Sequence, residues 1–292
     1  MIVALFTQEI NESVNEVVDS FLTSKFSKGK NFFIEKKLLN HVSNNNNLHL
    51  SSFNKSDELS SEIDLMVSIG GDGTFLRTIE YVRDLKIPVM GINTGNLGFL
   101  ATTKKENLEQ AIEKIYSRQF NVENRSLIKV STSENVLPKS FFPFALNEIS
   151  VVRKDTTSMI NIKTSLDGSD LNSYWADGLI VSTPTGSTGY SLSCGGPVIS
   201  PKSSSLVLTP ISPHNLNARP LVISDQTKIE LIVSGREDNH LLSVDSKIFT
   251  VKNGTKICVE KPKFDFKIAH FSNDNFYRTL KEKLFWGKDK RN

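Results

Sequence analysis

Residues 70–74 read Gly-Gly-Asp-Gly-Thr, between an apolar run at 63–69 and a helix-like segment at 75–84. Three glycines in four residues let the backbone adopt dihedrals closed to other residues and come close to a ligand. The start of the following helix offers free N–H groups and a positive dipole end to phosphate oxygens. A carboxylate in such a loop repels phosphate, so Asp72 needs its own reason to be there. It is either a base or metal ligand, or the cap of a tight Gly-Asp-Gly turn. The loop is neither a Walker A motif nor a GxGxxG fingerprint, which disfavours a plain Rossmann dehydrogenase.

Three more segments carry chemistry. Gly-Ile-Asn-Thr-Gly-Asn-Leu-Gly-Phe-Leu at 91–100 ends another strand, and open parallel sheets bind ligands outside such carboxyl ends. Phe99 suits either an adenine or the core. Asn147 and Glu148 are adjacent polar residues in an apolar strand. They point to opposite faces, so one of them faces an interior or a site, where it must be paired. The longest segment is Asp-Gly-Leu-Ile-Val-Ser-Thr-Pro-Thr-Gly-Ser-Thr-Gly-Tyr at 177–190, continued by Ser-Leu-Ser-Cys-Gly-Gly-Pro to Pro197. Dense in Ser and Thr, it is suited to donating hydrogen bonds to phosphate and ribose oxygens. No Ser-His-Asp arrangement is present, because residues 186–189 lack the GxSxG elbow spacing.

The elements that must hold these loops fall into two textures. Residues 2–7, 32–34, 63–69 and 88–93 read as strands. Helical patterns at 9–24, 36–42, 75–84 and 106–117 alternate with them. This βαβ rhythm predicts a parallel sheet with helices on its faces. The Asn run at 44–47 is a polar loop. From about residue 119 short β-rich runs alternate with turns: 127–132, 145–153, 159–166, 178–183, 206–209, 228–233, 241–244, 256–259 and 264–270. They predict an all-β, two-layer sandwich. A last helix at 275–285 carries Phe276, Leu280 and Leu284 on one side. It is expected to pack back on the first domain, since an isolated helix of that length is marginal. The fold class is therefore α/β plus all-β, with an α/β domain at 1–118, a β-sandwich at 119–271, and a helix and tail at 272–292.

Composition excludes several classes. The 292 residues are 38% hydrophobic and 23% charged, enough for two cores. No run approaches the roughly 18–20 apolar residues of a membrane span, and the apolar start reads as a strand, not a signal peptide. Two cysteines, Cys194 and Cys258, build neither a disulfide framework nor a metal motif, and they fit a reduced, cytoplasmic setting. Net charge is +3, which gives no general case for nucleic acid. Six basic residues between 278 and 292 (Arg278, Lys281, Lys283, Lys288, Lys290, Arg291) read as a solvated terminal helix.

Taken in order, Gly-Gly-Asp-Gly-Thr, 91–100, Asn147-Glu148, 177–190 with Gly-Gly-Pro, Pro-His-Asn-Leu at 213–216 and Arg-Pro-Leu-Val at 219–222 resemble the NAD kinase family, over residues 60 to 250. The resemblance implies transfer of the γ-phosphate of ATP to the 2′-hydroxyl of the adenosine ribose of NAD, giving NADP, with Mg²⁺ or another divalent ion on the ATP. It implies that Asp72 is the general base and that Gly73, Leu76 and Phe99 lie near the adenosine. Asn147 and Glu148 would hold the substrate ribose, and Asp177 the nicotinamide side or second ribose. Thr188, Gly189, Tyr190 and Ser193 would surround the dinucleotide, and Asp245 would contact it from a late turn. Thr74, Arg77, Asn93 and Thr185 join the nucleotide-binding candidates, and no protein ligand for a metal is assigned. A homo-oligomer, dimer or tetramer, is implied as well. The sequence departs from the family in having Gly189 where Ala is usual and Ser246 where Gly or His is common. A lipid or sugar kinase sharing the Gly-Gly-Asp loop, or a non-catalytic NADP-binding regulator, are the alternatives. The first needs an apolar acceptor cleft, and the second has no use for Asp72.

Overall fold

The computed structural model describes residues 1–42, 48–134, 136–155, 158–272 and 276–284. The Asn loop at 44–47, the ends of the predicted last helix and the basic residues from 288 onward lie outside them. The chain divides into two compact units, 1–124 with 266–292, and 125–265.

The first unit is built on an eight-stranded sheet. Its path runs His49–Phe53, Asn31–Glu35, Ile2–Phe6, Leu65–Ile69, Val89–Asn93, Phe266–His270 and Asn121–Arg125, with Thr103–Lys104 beside Val89–Asn93. The pairings of neighbours from His49–Phe53 through Phe266–His270 are parallel. Leu65–Ile69 and Val89–Asn93 are buried at every residue, the mark of parallel strands covered on both faces. Helix Glu12–Thr23 starts where the Asn11 side chain accepts from the Val14 N–H at 3.0 Å. It buries Val14, Val17, Val18, Phe21 and Leu22, and helix Leu108–Tyr116 adds Leu108, Ala111, Ile112 and Ile115 to the same core. The strand at 266–270 follows the β-rich run in sequence but pairs parallel with Val89–Asn93 through Ile268. Helix Phe276–Leu284 belongs to this unit and buries Leu280.

In the second unit two six-stranded sheets share one core. The order is 221–224, 205–211, 178–182, 148–153, 239–244, 247–252 in one, and 169–176, 160–166, 229–234, 256–260, 128–132, 144–145 in the other. Their pairings are antiparallel, and Ile160–Leu166 and Ile229–Ser234 alternate buried with more exposed positions. Strands His49–Phe53, Ser169–Ala176, Leu221–Ser224 and Lys247–Lys252 are additional to the runs read from the sequence. All four end a sheet path and leave much of their length exposed. Asp167 and Gly168, both at positive φ (49° and 81°), make the hairpin turn into Ser169–Ala176, as an Asp-Gly pair does in a type I′ turn.

Candidate functional site

In the first unit the fully buried strand Leu65–Ile69 delivers the glycine loop. Gly70 has φ +146°, and a Cβ there would meet Thr74 Oγ1 at 2.5 Å, so only glycine lets the strand turn straight into the helix. The helix begins earlier than its apolar pattern predicts, with Gly71 as N-cap and Asp72 as first residue. Asp72 does not act as the N-cap. Its carboxylate reaches a different loop: Oδ2 accepts from Phe99 N at 2.8 Å, and Oδ1 from Leu100 N and Ala101 N at 3.0 Å each. These are charge-assisted bonds to three consecutive amides.

The partner loop is shaped to receive it. A Cβ on Gly98 would run into the Asp72 carboxylate, and one on Gly91 would come within 2.5 Å of Ala101 Cα. Asn93, buried, donates to Asn96 O at 2.9 Å and Ala101 O at 3.2 Å and accepts from Gly95 N at 2.7 Å. Its amide therefore shapes the 93–101 turn. Phe99 is half-buried, its ring tilted against Phe276 with centroids 6.3 Å apart. Gly73 is exposed, and Thr74, Leu76 and Arg77 are half-buried. Arg77 lines a small cleft with Gln8, Lys37 and Tyr81.

In the second unit Phe144–Ala145 and Glu148–Arg153 are separated by Leu146 and Asn147, and another aspartate fixes the break. Asp245 accepts from Leu146 N and Asn147 N at 2.9 Å and from Glu148 N at 3.0 Å, and its own N–H donates to Glu148 O at 2.9 Å. It sits in the turn between Asn239–Val244 and Lys247–Lys252 with φ +47°. On the other side, Thr183 N donates to Asn147 O at 2.9 Å and Thr183 Oγ1 to Leu146 O at 2.5 Å. A Cβ on Gly186 would strike the Asn147 carbonyl.

The side chains at this break are left with open valences. Asn147 Oδ1 and Glu148 Oε2 are buried without a protein partner. Both residues face Gly189, whose Cβ would lie 3.3 Å from Glu148 Oε2 and 3.7 Å from Asn147 Nδ2. Glu148 is pushed up to about 8, first by burial and then by the Asp245 charge, against the pull of the Tyr190 backbone N–H. Tyr190 is raised as well, first by burial.

The Ser/Thr-rich loop uses much of its polarity on itself. Thr183 bonds as above. Ser187 Oγ donates to Pro184 O at 2.7 Å and accepts from Ile199 N at 2.9 Å, and Ser191 Oγ lies 2.8 Å from Thr209 Oγ1. Thr185 is buried, Thr188 is half-buried and bonded to Thr185 O at 3.3 Å, and Tyr190 and Ser193 are exposed. The hydroxyls of Thr183, Ser187 and Ser191 thus bond within the protein, whereas Tyr190 and Ser193 are exposed. Asp177, half-buried, pairs with Arg153 Nη2 at 3.1 Å. Sequence reasoning missed Arg153, which no motif marks, and the roles of Gly98 and Gly186, whose only signal was a glycine within a quoted segment. Among the described residues no three His, Cys, Asp or Glu side chains gather as a metal site, and no helix is long and apolar enough to cross a membrane.

Known proteins match the chain over its full length. Residues 8–120 match the ATP-NAD kinase N-terminal domain and 146–271 the ATP-NAD kinase C-terminal domain. The chain is 47% identical to an NAD kinase of Christiangramia forsetii and 44% identical to one of Flavobacterium psychrophilum, each aligned over 100% of both chains. An Archaeoglobus fulgidus NAD kinase solved in complex with ATP superposes with TM-score 0.72 at 29% identity, over 98% of this chain and 99% of that one. Yeast NADH kinase complexed with NADH gives TM-score 0.85 at 24% identity over 99% and 88%, a likeness of fold.

Proposed function

The chain belongs to the NAD kinase family, and on that premise we propose that it moves the γ-phosphate of ATP to the 2′-hydroxyl of the adenosine ribose of NAD⁺, giving NADP⁺. A sugar hydroxyl does not ionise at neutral pH, so its proton must leave as the bond to phosphorus forms. Asp72 takes that proton. The observation that carries this role is its bonding pattern: a carboxylate has about four acceptor positions, and the three amides take one on Oδ2 and two on Oδ1. Oδ2 keeps a lone pair while the carboxylate is held still, the preorganisation that in-line transfer rewards.

In the second unit Asn147 and Glu148 bind the dinucleotide with the oxygens the protein leaves unpaired, and Thr188, Tyr190 and Ser193 add donors. Asp177, fixed by Arg153, orients the distal part of the substrate. In this reading the divalent ion rides on the phosphates of ATP and offsets their charge beside Asp72. The reading extends to a cytoplasmic homo-oligomer.

The test is incubation of the purified chain with ATP and NAD⁺ and detection of NADP⁺. Sustained product supports the proposal. Tight NADP⁺ binding without turnover favours a regulator, and phosphorylation of a diacylglycerol in place of NAD⁺ favours the lipid-kinase branch.

A further inference from the structure

The geometry points to Asp245 as a positioning residue of this reaction: it seats the amides of residues 146–148 and so aims Asn147 and Glu148, without touching the dinucleotide. This inference rests on the reading above, in which Asn147 and Glu148 bind NAD⁺, and it replaces the direct contact that resemblance implied.

Both oxygens of Asp245 face inward. Oδ2 takes Leu146 N, and Oδ1 takes Asn147 N and Glu148 N. The return bond from Asp245 N to Glu148 O closes the pairing. Thr183 grips Leu146 O and Asn147 O from the dinucleotide loop. The backbone of the break is therefore hydrogen-bonded on both sides, while Asn147 Oδ1 and Glu148 Oε2 have no protein partner. Buried acceptors are costly to leave unmade, and a ligand hydroxyl relieves the cost only if the two oxygens stand where it docks. Leu146, Asn147 and Glu148 are set by one turn residue about a hundred positions away, held at a positive φ that Asp and Asn tolerate better than most residues.

The seat also has an electrostatic consequence. The ionisable groups facing Glu148 are Asp245 from the turn and Tyr190 from the loop. With the Asp245 charge beside it, a second carboxylate in a buried place keeps its proton. Glu148 then donates as well as accepts at neutral pH.

Asp245→Asn tests this, since Asn tolerates the turn and retains one carbonyl oxygen for the amides. NADP⁺ formation by the wild type, measured alongside, tests the reading the inference rests on. For the variant we expect KM for NAD⁺ to rise about tenfold or more, with kcat and KM for ATP within about threefold. In nucleotide-free protein, carbon NMR should show the Glu148 carboxyl titrating at lower pH than in wild type, a change that a merely structural loss does not produce. A KM for NAD⁺ within twofold of wild type, an unmoved Glu148 titration, or a fall in kcat at constant KM overturns the inference. If the variant does not fold, amide exchange in the wild type decides: residues 146–148 should exchange slowly, and fast exchange at all three overturns the seat.

Discussion

Each unit places an aspartate carboxylate under three consecutive backbone amides, and the proposed reaction gives the two carboxylates different work. Asp72 receives residues 99–101 and Asp245 receives residues 146–148, at 2.8–3.0 Å in both cases. Asp72 is the first residue of a helix, half-buried between the exposed glycines Gly71 and Gly73. Asp245 is in a hairpin turn beneath a strand break, next to Glu148. In the proposed reaction the same hydrogen-bond pattern fixes both carboxylates, and their surroundings decide which one reacts and which one positions.

The largest effect should come from separating those two roles. Asp72→Ala is expected to cut kcat by about 10²-fold or more, the scale of general-base catalysis, with KM for NAD⁺ changed far less. A folded variant with near wild-type kcat would make Asp72 a second positioning residue and erase the contrast.

Next comes the titration of Glu148. Its folded pKa of about 8 lies above the ordinary value of 4.5, so the folded state prefers the protonated form. Its contribution to stability is full below about 4.5 and is lost as pH rises through 8. Chemical denaturation of the wild type should show that loss, up to about 5 kcal/mol. Glu148→Gln should lack that component, and parallel pH profiles for the two proteins would refute the buried, charge-paired setting.

Glycines give a third test. Gly98→Ala drives a methyl into the Asp72 carboxylate and Gly186→Ala drives one into the Asn147 carbonyl. Each should cost about 1–3 kcal/mol, as overpacking does. The kinetics should diverge, with Gly98→Ala lowering kcat and Gly186→Ala raising KM for NAD⁺. Identical kinetic signatures would mean that the two seats are not functionally distinct. The smallest effect is expected for Arg153→Met. The Arg153–Asp177 pair is about a quarter exposed on each side, so its loss should cost about 1 kcal/mol or less, read as a small shift of the denaturation midpoint.

Much of the frame was legible in the chain. Apolar runs at 63–69 and 88–93 marked the central parallel strands, because a strand covered on both faces has few polar positions to break its pattern. The strand at 169–176 was illegible, because an end strand exposing six of its eight residues carries no such pattern. The strand at 266–270 was readable as a strand, but its sheet was not.

By itself the sequence determined the local units: a buried strand, a glycine turn and a helix at 65–77, and the polar residues Asp72, Asn147 and Glu148 set in apolar or glycine-rich surroundings. Tertiary structure alone decided what the carboxylates meet, since Asp72 finds its amides 27–29 residues away and Asp245 finds them 97–99 away. Periodicity and turn chemistry act over a few residues, whereas a hydrogen bond across such separations exists only once strand order has brought the two segments together.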